Sequence, residues 1–503
     1  MKLCVDDFSW IFDVQLVSPE DAEYWTYFDA KGFTGSSLAL VSTSGVPEEE
    51  WKAWIMLSDD VPGEEDIYKE KDRPYYHFSN SRGWINDPNG MVRKDGRYHM
   101  FYQLNPFGTR GYDKGWGHAV SDNLFDWHLL PPALSADERG YSISGSALFD
   151  ENNLSGFGRN SWILAYSTRY HNRPDLGQFQ NIAWSNDGLV FHKYDKNPVI
   201  SDTSGLDFRD PKVFYHKETN RFVMIVAFGS ALRIYTSGNL KEWEFESLID
   251  DSSFNPEHRI FECPELLEYK TEDGGSLWVL SFSWIEGRSV DFVFGSFDGK
   301  QFVRDPDIPL QRADWGKDFY AAVAYNQYGE MNGRTLWIGW MCYWPYSMQC
   351  PRNEGWLNLF TVPRDLSLVK RNGKYRIAQL PAKEIEEIVT DSFLISFKMD
   401  EAIRFPEAFR LTGRAENISS LRMEFSYDSG ECVTLSYLPS SSEIVIDRKG
   451  ANPYEIGEGF NEVLRMPYSE DSLDFIILGD VNSLEFYFEG GVSVLSPLLF
   501  IRA

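Results

Sequence analysis

From about residue 75 to residue 375 the chain is a succession of short apolar or alternating runs, each closed by Gly, Pro, Asn or Asp. That spacing predicts strands joined by tight turns rather than helices. One turn pattern recurs, as Ser121-Asp122-Asn123-Leu124-Phe125-Asp126-Trp127, Ser185-Asn186-Asp187-Gly188-Leu189-Val190-Phe191, Ser237-Gly238-Asn239-Leu240-Lys241-Glu242-Trp243 and Ser296-Phe297-Asp298-Gly299-Lys300-Gln301-Phe302. The closing aromatics are roughly 60 residues apart, room for one four-stranded sheet per copy, so about 300 residues predict about five blades of a β-propeller. Asn, or Asp-Gly, at the turn supplies positive φ, and the aromatic folds back onto the outer strands.

Strong alternation continues beyond the propeller, as in Glu443-Ile444-Val445-Ile446-Asp447 and Leu484-Glu485-Phe486-Tyr487-Phe488, and predicts a β-sandwich over residues 376–503. A short amphipathic helix is expected as a link near Gln379 to Ile388. Residues 1–74 predict a small strand-rich module, with alternation at Phe12-Asp13-Val14-Gln15-Leu16 and a helical turn opened by Ser18-Pro19-Glu20-Asp21. The charged stretch from Ser58 to Pro74 reads as a linker. The expected class is all-β: the N-terminal module, a five-bladed propeller over 75–375, then the sandwich.

Composition narrows the function. The 503 residues carry 48 Lys+Arg against 76 Asp+Glu, a formal charge of -28 that repels phosphate backbones and anionic bilayers. Nucleic acid and membrane are therefore excluded as partners, and a neutral small molecule or oligosaccharide fits. Trp 17, Tyr 26 and Phe 36 exceed what core packing needs and favour strands and stacking surfaces. The five cysteines are scattered without C-x-x-C spacing, and the eight histidines form no H-E-x-x-H or His-x-His pattern. Neither a disulfide framework nor a metal or other cofactor is expected. Acidic residues interrupt the N-terminus before an apolar segment can form, so a cytoplasmic location is the expectation.

Three acids are boxed in by residues that make poor surface. Asp87 lies in Trp84-Ile85-Asn86-Asp87-Pro88-Asn89-Gly90, Asp210 in Phe208-Arg209-Asp210-Pro211, and Glu262 in Phe261-Glu262-Cys263-Pro264-Glu265. Each heads a strand-like run, and inner strands of a propeller converge on one funnel. Two carboxylates across a sugar ring are what glycoside hydrolysis requires. Each acid also has a plain alternative: Asp87 as a turn residue, Asp210 paired with Arg209, Glu262 capping a strand with Glu265 as a rival acid. Cys263 reads as packing, and Trp337, Trp340 and Trp344 read equally as core or sugar platform.

These three segments resemble the signature motifs of glycoside hydrolase family 32, and further matches follow in order: Phe101-Tyr102-Gln103-Leu104-Asn105-Pro106, Trp116-Gly117-His118-Ala119, Ser144-Gly145-Ser146-Ala147, Asp318-Phe319-Tyr320-Ala321 and Ile338-Gly339-Trp340-Met341. The resemblance runs from about residue 75 to the end. It implies a five-bladed propeller plus sandwich and a retaining, exo-acting hydrolase that releases terminal β-D-fructofuranosyl residues from sucrose, fructo-oligosaccharides or fructans. It also implies that Asp87 is the nucleophile, Glu262 the acid and then base, and Asp210 a transition-state stabiliser. Asn86, Gln103, Trp116, Ser144 and Arg209 match fructose-binding positions, and Trp84, Ile143, Asp318 and Tyr320 complete the expected substrate-binding set. The retaining route implies Asp87 and Glu262 carboxyls about 5 to 5.5 Å apart. Departures at Ile85, Ile143, Cys342-Tyr343 and Leu357 bear on the leaving-group side. A fructosyltransferase and a catalytically silent sugar-binding propeller are the alternative readings.

Overall fold

The computed structural model describes residues 2–5, 9–13, 30, 34–41, 47–60, 63–109, 111, 114–137, 140–169, 177–286, 289–327, 330–351, 354–396, 404–428, 430–451 and 456–500. Five antiparallel sheets form the blades of a propeller. Their inner strands are Gly83–Lys94, Tyr141–Asp150, Phe208–His216, Phe261–Lys270 and Tyr320–Ala324, in blades I to V. These strands neighbour one another around a closed ring, and the segment Trp356–Leu357 of blade V pairs in parallel with Gly83 and Trp84 of blade I. The ring is thereby tied at its seam, which removes an open sheet edge.

The recurring turn does what its composition implies, with one shift of position. In three copies the Ser hydroxyl and the Asn or Asp side chain cap the backbone N–H groups of the turn: Asn123 accepts from Phe125 N and Asp126 N, Asp187 from Leu189 N and Val190 N, Asn239 from Lys241 N and Glu242 N. Positive φ falls on the residue after the Asn or Asp, namely Leu124, Gly188, Leu240 and Gly299. Two of these are leucines, and both are 0% exposed, so side-chain burial offsets backbone strain of about 1 kcal/mol or more. Blade V closes instead with a hairpin at Asn372-Gly373, both at positive φ, which is why only four copies of the pattern are readable.

The sandwich consists of one sheet containing Ser392–Ser396, Phe409–Glu416, Ser472–Asp480, Ser483–Phe488 and Ser493–Leu495, and another containing Arg422–Ser426, Cys432–Leu438, Glu443–Asp447 and Leu464–Pro467. Alternate residues of both, among them Leu411, Phe425, Leu435, Ile446, Ile477 and Phe486, form a shared apolar core. The boundary expected at 375 cuts through the last strand of blade V, Lys374–Pro381, so the propeller extends to Pro381. The expected linking helix shrinks to one turn, Ile385–Ile388, because Gln379 to Pro381 belong to that strand. At the N-terminus, Lys2–Val5 pairs with Ser9–Asp13 and Leu38–Val41 in a three-stranded sheet, while the turn expected at Ser18 lies outside the described residues.

The stretch from Ser58 to Pro74 is more than a solvated linker, since its C-terminal end is anchored. Arg73 is buried, donates to Ser79 Oγ (2.9 Å), Asn80 O (2.7 Å) and Ser81 O (3.1 Å), and stacks 4.1 Å over the Trp356 ring. The next residues cross onto the sandwich. Asp480 accepts from Tyr75 N at 2.8 Å and from His77 Nδ1 at 2.7 Å, and Glu485 takes His77 Nε2 at 2.9 Å and Arg364 Nη2 at 3.0 Å. Arg364 in turn reaches Asp314 at 3.0 Å. Propeller and sandwich are thus joined through buried charges that satisfy each other, as buried charges must.

Burial alone would push the His77 imidazole down, but the Asp480 and Glu485 carboxylates on either side lift it to about 9. A histidine whose folded pKa is raised above the ordinary 6.5 stabilises below that value and loses its contribution as pH rises toward 9. His77→Gln is therefore expected to destabilise most near pH 6, with the gap in melting temperature to wild type narrowing steadily toward about pH 9. A gap that stays constant over this range would contradict the charged interface.

Candidate active site

Each inner strand carries a bulge, and that of blade I carries a second between Pro88 and Met91. Relative to the neighbouring strand, one extra residue is inserted between Ile85 and Pro88, Ile143 and Gly145, Arg209 and Lys212, Glu262 and Glu265, and Tyr320 and Val323. Bulges of this kind bend the strand and re-aim side chains. In blades III, IV and V the bulge residue adopts positive φ, at Asp210, Cys263 and Ala321. The residue just before it is Arg209, Glu262 and Tyr320 respectively, and these three equivalent side chains meet. Arg209 Nη2 lies 3.0 Å from Glu262 Oε1, and the Tyr320 hydroxyl donates to Glu262 Oε2. The far side of the Arg209 guanidinium pairs with Asp207.

The backbone of the bulges is held by the second strands. Asp210 N donates to Ser167 Oγ at 3.0 Å, and Ala321 N donates to Ser283 Oγ at 3.1 Å. Ser167 pairs with Ile143 and Ser283 with Glu262, and the corresponding partner of Arg209 is Ala227, which has no hydroxyl. The N–H of Cys263, which the missing hydroxyl would have taken, donates instead to Asp210 Oδ2 at 2.9 Å. An alanine in the second strand thus leaves one backbone donor for a functional carboxylate.

Asp87 sits in the bulge of blade I. Ser144, the bulge residue of blade II, donates to Asp87 Oδ2 at 2.6 Å, and Asn86 Nδ2 donates to Oδ1 at 2.8 Å. Burial pushes the Asp87 carboxyl up, opposed by the Lys114 ammonium and by these hydrogen bonds, with the Glu262 charge adding to the rise. Burial also lifts Asp210, to about 7, against the pull of Arg209 and with the Glu262 and Asp87 charges adding. Three carboxylates from blades I, III and IV therefore share one buried, mutually repelling cluster. Such an arrangement lets carboxyl groups a few residues or blades apart take different protonation states.

Residues 77–381 match the family model described as the glycosyl hydrolases family 32 N-terminal domain. The chain belongs to glycoside hydrolase family 32. It is 39% identical over 332 residues to a levanase of Bacillus subtilis, which covers 64% of this chain and 48% of that one. It is 31% identical over 491 residues to an extracellular exo-inulinase of Aspergillus niger, covering 85% and 90%. The crystal structure of exo-inulinase from Aspergillus awamori superposes with a TM-score of 0.72 at 28% identity, covering 86% of this chain and 94% of that one. The chain thus spans about half the length of the levanase and nine-tenths of the inulinases.

Within this family 32 enzyme the expected site residues separate into three groups. Asp87, Asn86, Ser144, Arg209, Asp210, Glu262 and Tyr320 converge as described. Gln103 and Trp116 stand behind them: Gln103 Nε2 donates to Ser142 O and Trp116 Nε1 to Ile143 O, each at 3.1 Å, so Ile143 enters through its carbonyl. With its amide oxygen turned to these donors, Asn89 also accepts from both, and its nitrogen donates to Ser144 Oγ at 3.3 Å. This places Asn89, quoted in the motif but not picked out, behind the Ser144 to Asp87 hydrogen bond. The third group is engaged with other partners. Asp318 gives its carboxylate to Arg448, Tyr346 and Leu498 N at the sandwich junction, so it is an interdomain anchor. Trp84 is 0% exposed, covered by Trp340, Trp344 and Lys114, and offers no open stacking face.

The rival acid is also placed. Glu265 is fully buried, ion-paired with Lys212 at 2.8 Å and accepting from Ala324 N, so its charge is already used. Cys263 is buried with its thiol pushed well up by burial, in keeping with a packing role. Trp337 and Trp340 are core, and Trp344 is half-buried and packed against the core.

The Tyr320 hydroxyl holds one oxygen of Glu262 and also reaches Trp284 O at 3.2 Å. Loss of one charge-assisted hydrogen bond costs about 1.5–3 kcal/mol. Tyr320→Phe is therefore expected to lower kcat/KM on a β-fructofuranoside by roughly ten- to a hundredfold in a protein that still melts cooperatively. Wild-type kinetics in this variant would show that Glu262 does not rely on the contact.

Proposed function

We propose that this enzyme is a retaining, exo-acting hydrolase that removes terminal β-D-fructofuranosyl units from sucrose, fructo-oligosaccharides or fructans. The observation that carries the reading is that Asp87 of blade I and Glu262 of blade IV bring two carboxyl groups, each acting on the charge of the other, into one pocket. Asp87 accepts hydrogen bonds from Ser144 and Asn86, and the Lys114 charge also favours its ionised form. Glu262, its neighbour in charge, is held at its two oxygens by Arg209 and Tyr320, which fixes the orientation of its carboxyl group. The names of the relatives, levanase and exo-inulinase, support a fructan or fructo-oligosaccharide substrate.

In the first step an Asp87 oxygen attacks the anomeric carbon of the fructosyl unit while Glu262 gives its proton to the departing glycosidic oxygen. The bond to the leaving sugar breaks as the ester to Asp87 forms. In the second step Glu262, now a carboxylate, takes a proton from water, whose oxygen attacks the same carbon and frees Asp87. Asp210, fixed by the Cys263 N–H, is assigned to the fructose hydroxyls. Arg209 offsets part of the negative charge that this cluster accumulates.

Asp87→Ala and Glu262→Ala are each expected to reduce fructose release by at least about three orders of magnitude, since covalent catalysis and proton transfer are removed. The assay is a panel of sucrose, inulin and levan with product analysis. Equal turnover in wild type and both variants would overturn the assignment, and oligosaccharides outweighing free fructose throughout would make the enzyme a transferase.

A further inference from the structure

Lys114 takes no part in the bond making and breaking of the double displacement, and the sequence gives no motif for it. Its carbonyl accepts from Ser142 N at 3.2 Å, which pins its backbone to the inner strand of blade II. Its Nζ lies 4.7 Å from the centre of the Trp84 ring and 4.9 Å from that of Trp344, two indoles whose centres are 5.8 Å apart. An ammonium against indole faces is held by the ring quadrupoles, and the rings keep water from its sides.

The charges that face Lys114 come from four blades' worth of strands. Asp87 acts most strongly, then Glu262 and Asp210, all attracting, while Arg169 at the end of Ser161–Arg169 repels. Arg209 lies among the same carboxylates but is engaged by Asp207 and Glu262. From the Asp87 side, Lys114 is the largest influence after burial, ahead of the hydrogen bonds from Ser144 and Asn86. The pocket thus confronts a buried nucleophile with two further acids, and a clamped lysine supplies the opposing charge.

We propose that Lys114 is a positioning residue that keeps Asp87 ionised for attack, with Trp84 and Trp344 clamping its ammonium beside the cluster. This rests on the reading of Asp87 as the nucleophile. It also gives Trp84 a task that its burial permits: it faces a cation of the protein rather than a sugar. Burial brings the Lys114 ammonium down to about 8, so the charge is present throughout the acidic range in which Asp87 must ionise.

The test is kcat/KM for sucrose or a fructo-oligosaccharide as a function of pH in wild type, Lys114→Met, Lys114→Gln and Lys114→Arg, with melting temperatures alongside. Removing an opposite charge from beside a carboxylate raises its pKa by one unit or more. The acid limb of the uncharged variants is expected to move up by about one pH unit, so that activity falls about tenfold on that limb and much less near neutrality. Lys114→Arg is expected to bring the limb back to within a few tenths of a unit. A merely structural lysine would lower activity equally at all pH values. An acid limb in a folded Lys114→Met or Lys114→Gln protein that superposes on wild type overturns the proposal. Asp87→Ala, run in parallel, separates the two readings: if it retains turnover, the nucleophile assignment itself fails.

Discussion

Five strands that converge on one axis cannot all run as regular ladders to the mouth of the funnel and also present side chains across it. The extra residue in every inner strand resolves this conflict, and the site depends on it. At a bulge the alternation of faces is broken, so consecutive residues such as Arg209 and Asp210 can both serve the same pocket. Equivalence between blades then becomes contact: the residues before the bulge in blades III, IV and V are Arg209, Glu262 and Tyr320, and they touch. The cost is left-handed backbone at Asp210, Cys263 and Ala321, of order 1–3 kcal/mol each, held in place by Ser167, Ser283 and the Asp210 carboxylate.

Concentrating acids at the mouth creates an electrostatic problem that the fold answers locally. Arg209 and Lys114 bring positive charge to the cluster, and backbone or hydroxyl donors occupy individual oxygens. The same strategy recurs away from the site, where Asp480, Glu485, His77, Arg364 and Asp314 form a buried chain between propeller and sandwich. A second junction, Asp318 with Arg448 and Tyr346, starts two residues before Tyr320. The sandwich is therefore bonded to the chain two residues ahead of the strand that positions one of the groups on Glu262, which ties that domain to the geometry of the pocket.

Chemistry that is local in the chain was the most legible in the sequence. The Ser-x-Asn and Ser-x-Asp turns fold on themselves, so their recurrence marks blades, while blade V uses a different hairpin and is found only by counting. Asp87, Asp210 and Glu262 are legible because Pro and Gly around them record the bulges. What depends on distant partners is not readable in this way. Asp318 lies in a motif with Tyr320, yet its side chain answers to Arg448 in another domain. Trp84 reads as a substrate contact until Trp344 and Lys114 are seen to cover it, and the fold sets Glu265 apart from Glu262 by pairing it with Lys212. Lys114 itself carries no signature, since a lone lysine in a loop is ordinary until the fold sets it between two indoles.

The central claim is that Asp87 attacks the fructosyl carbon and carries the sugar between the two steps. The most direct measurement is acid quenching of the enzyme during turnover of sucrose or a fructo-oligosaccharide, followed by peptic digestion and mass spectrometry. The expected result is a single fructosyl unit on the peptide containing Asp87, absent from those containing Asp210 and Glu262. A label on either of those carboxylates instead, or product of inverted configuration with no labelled peptide, would contradict the account.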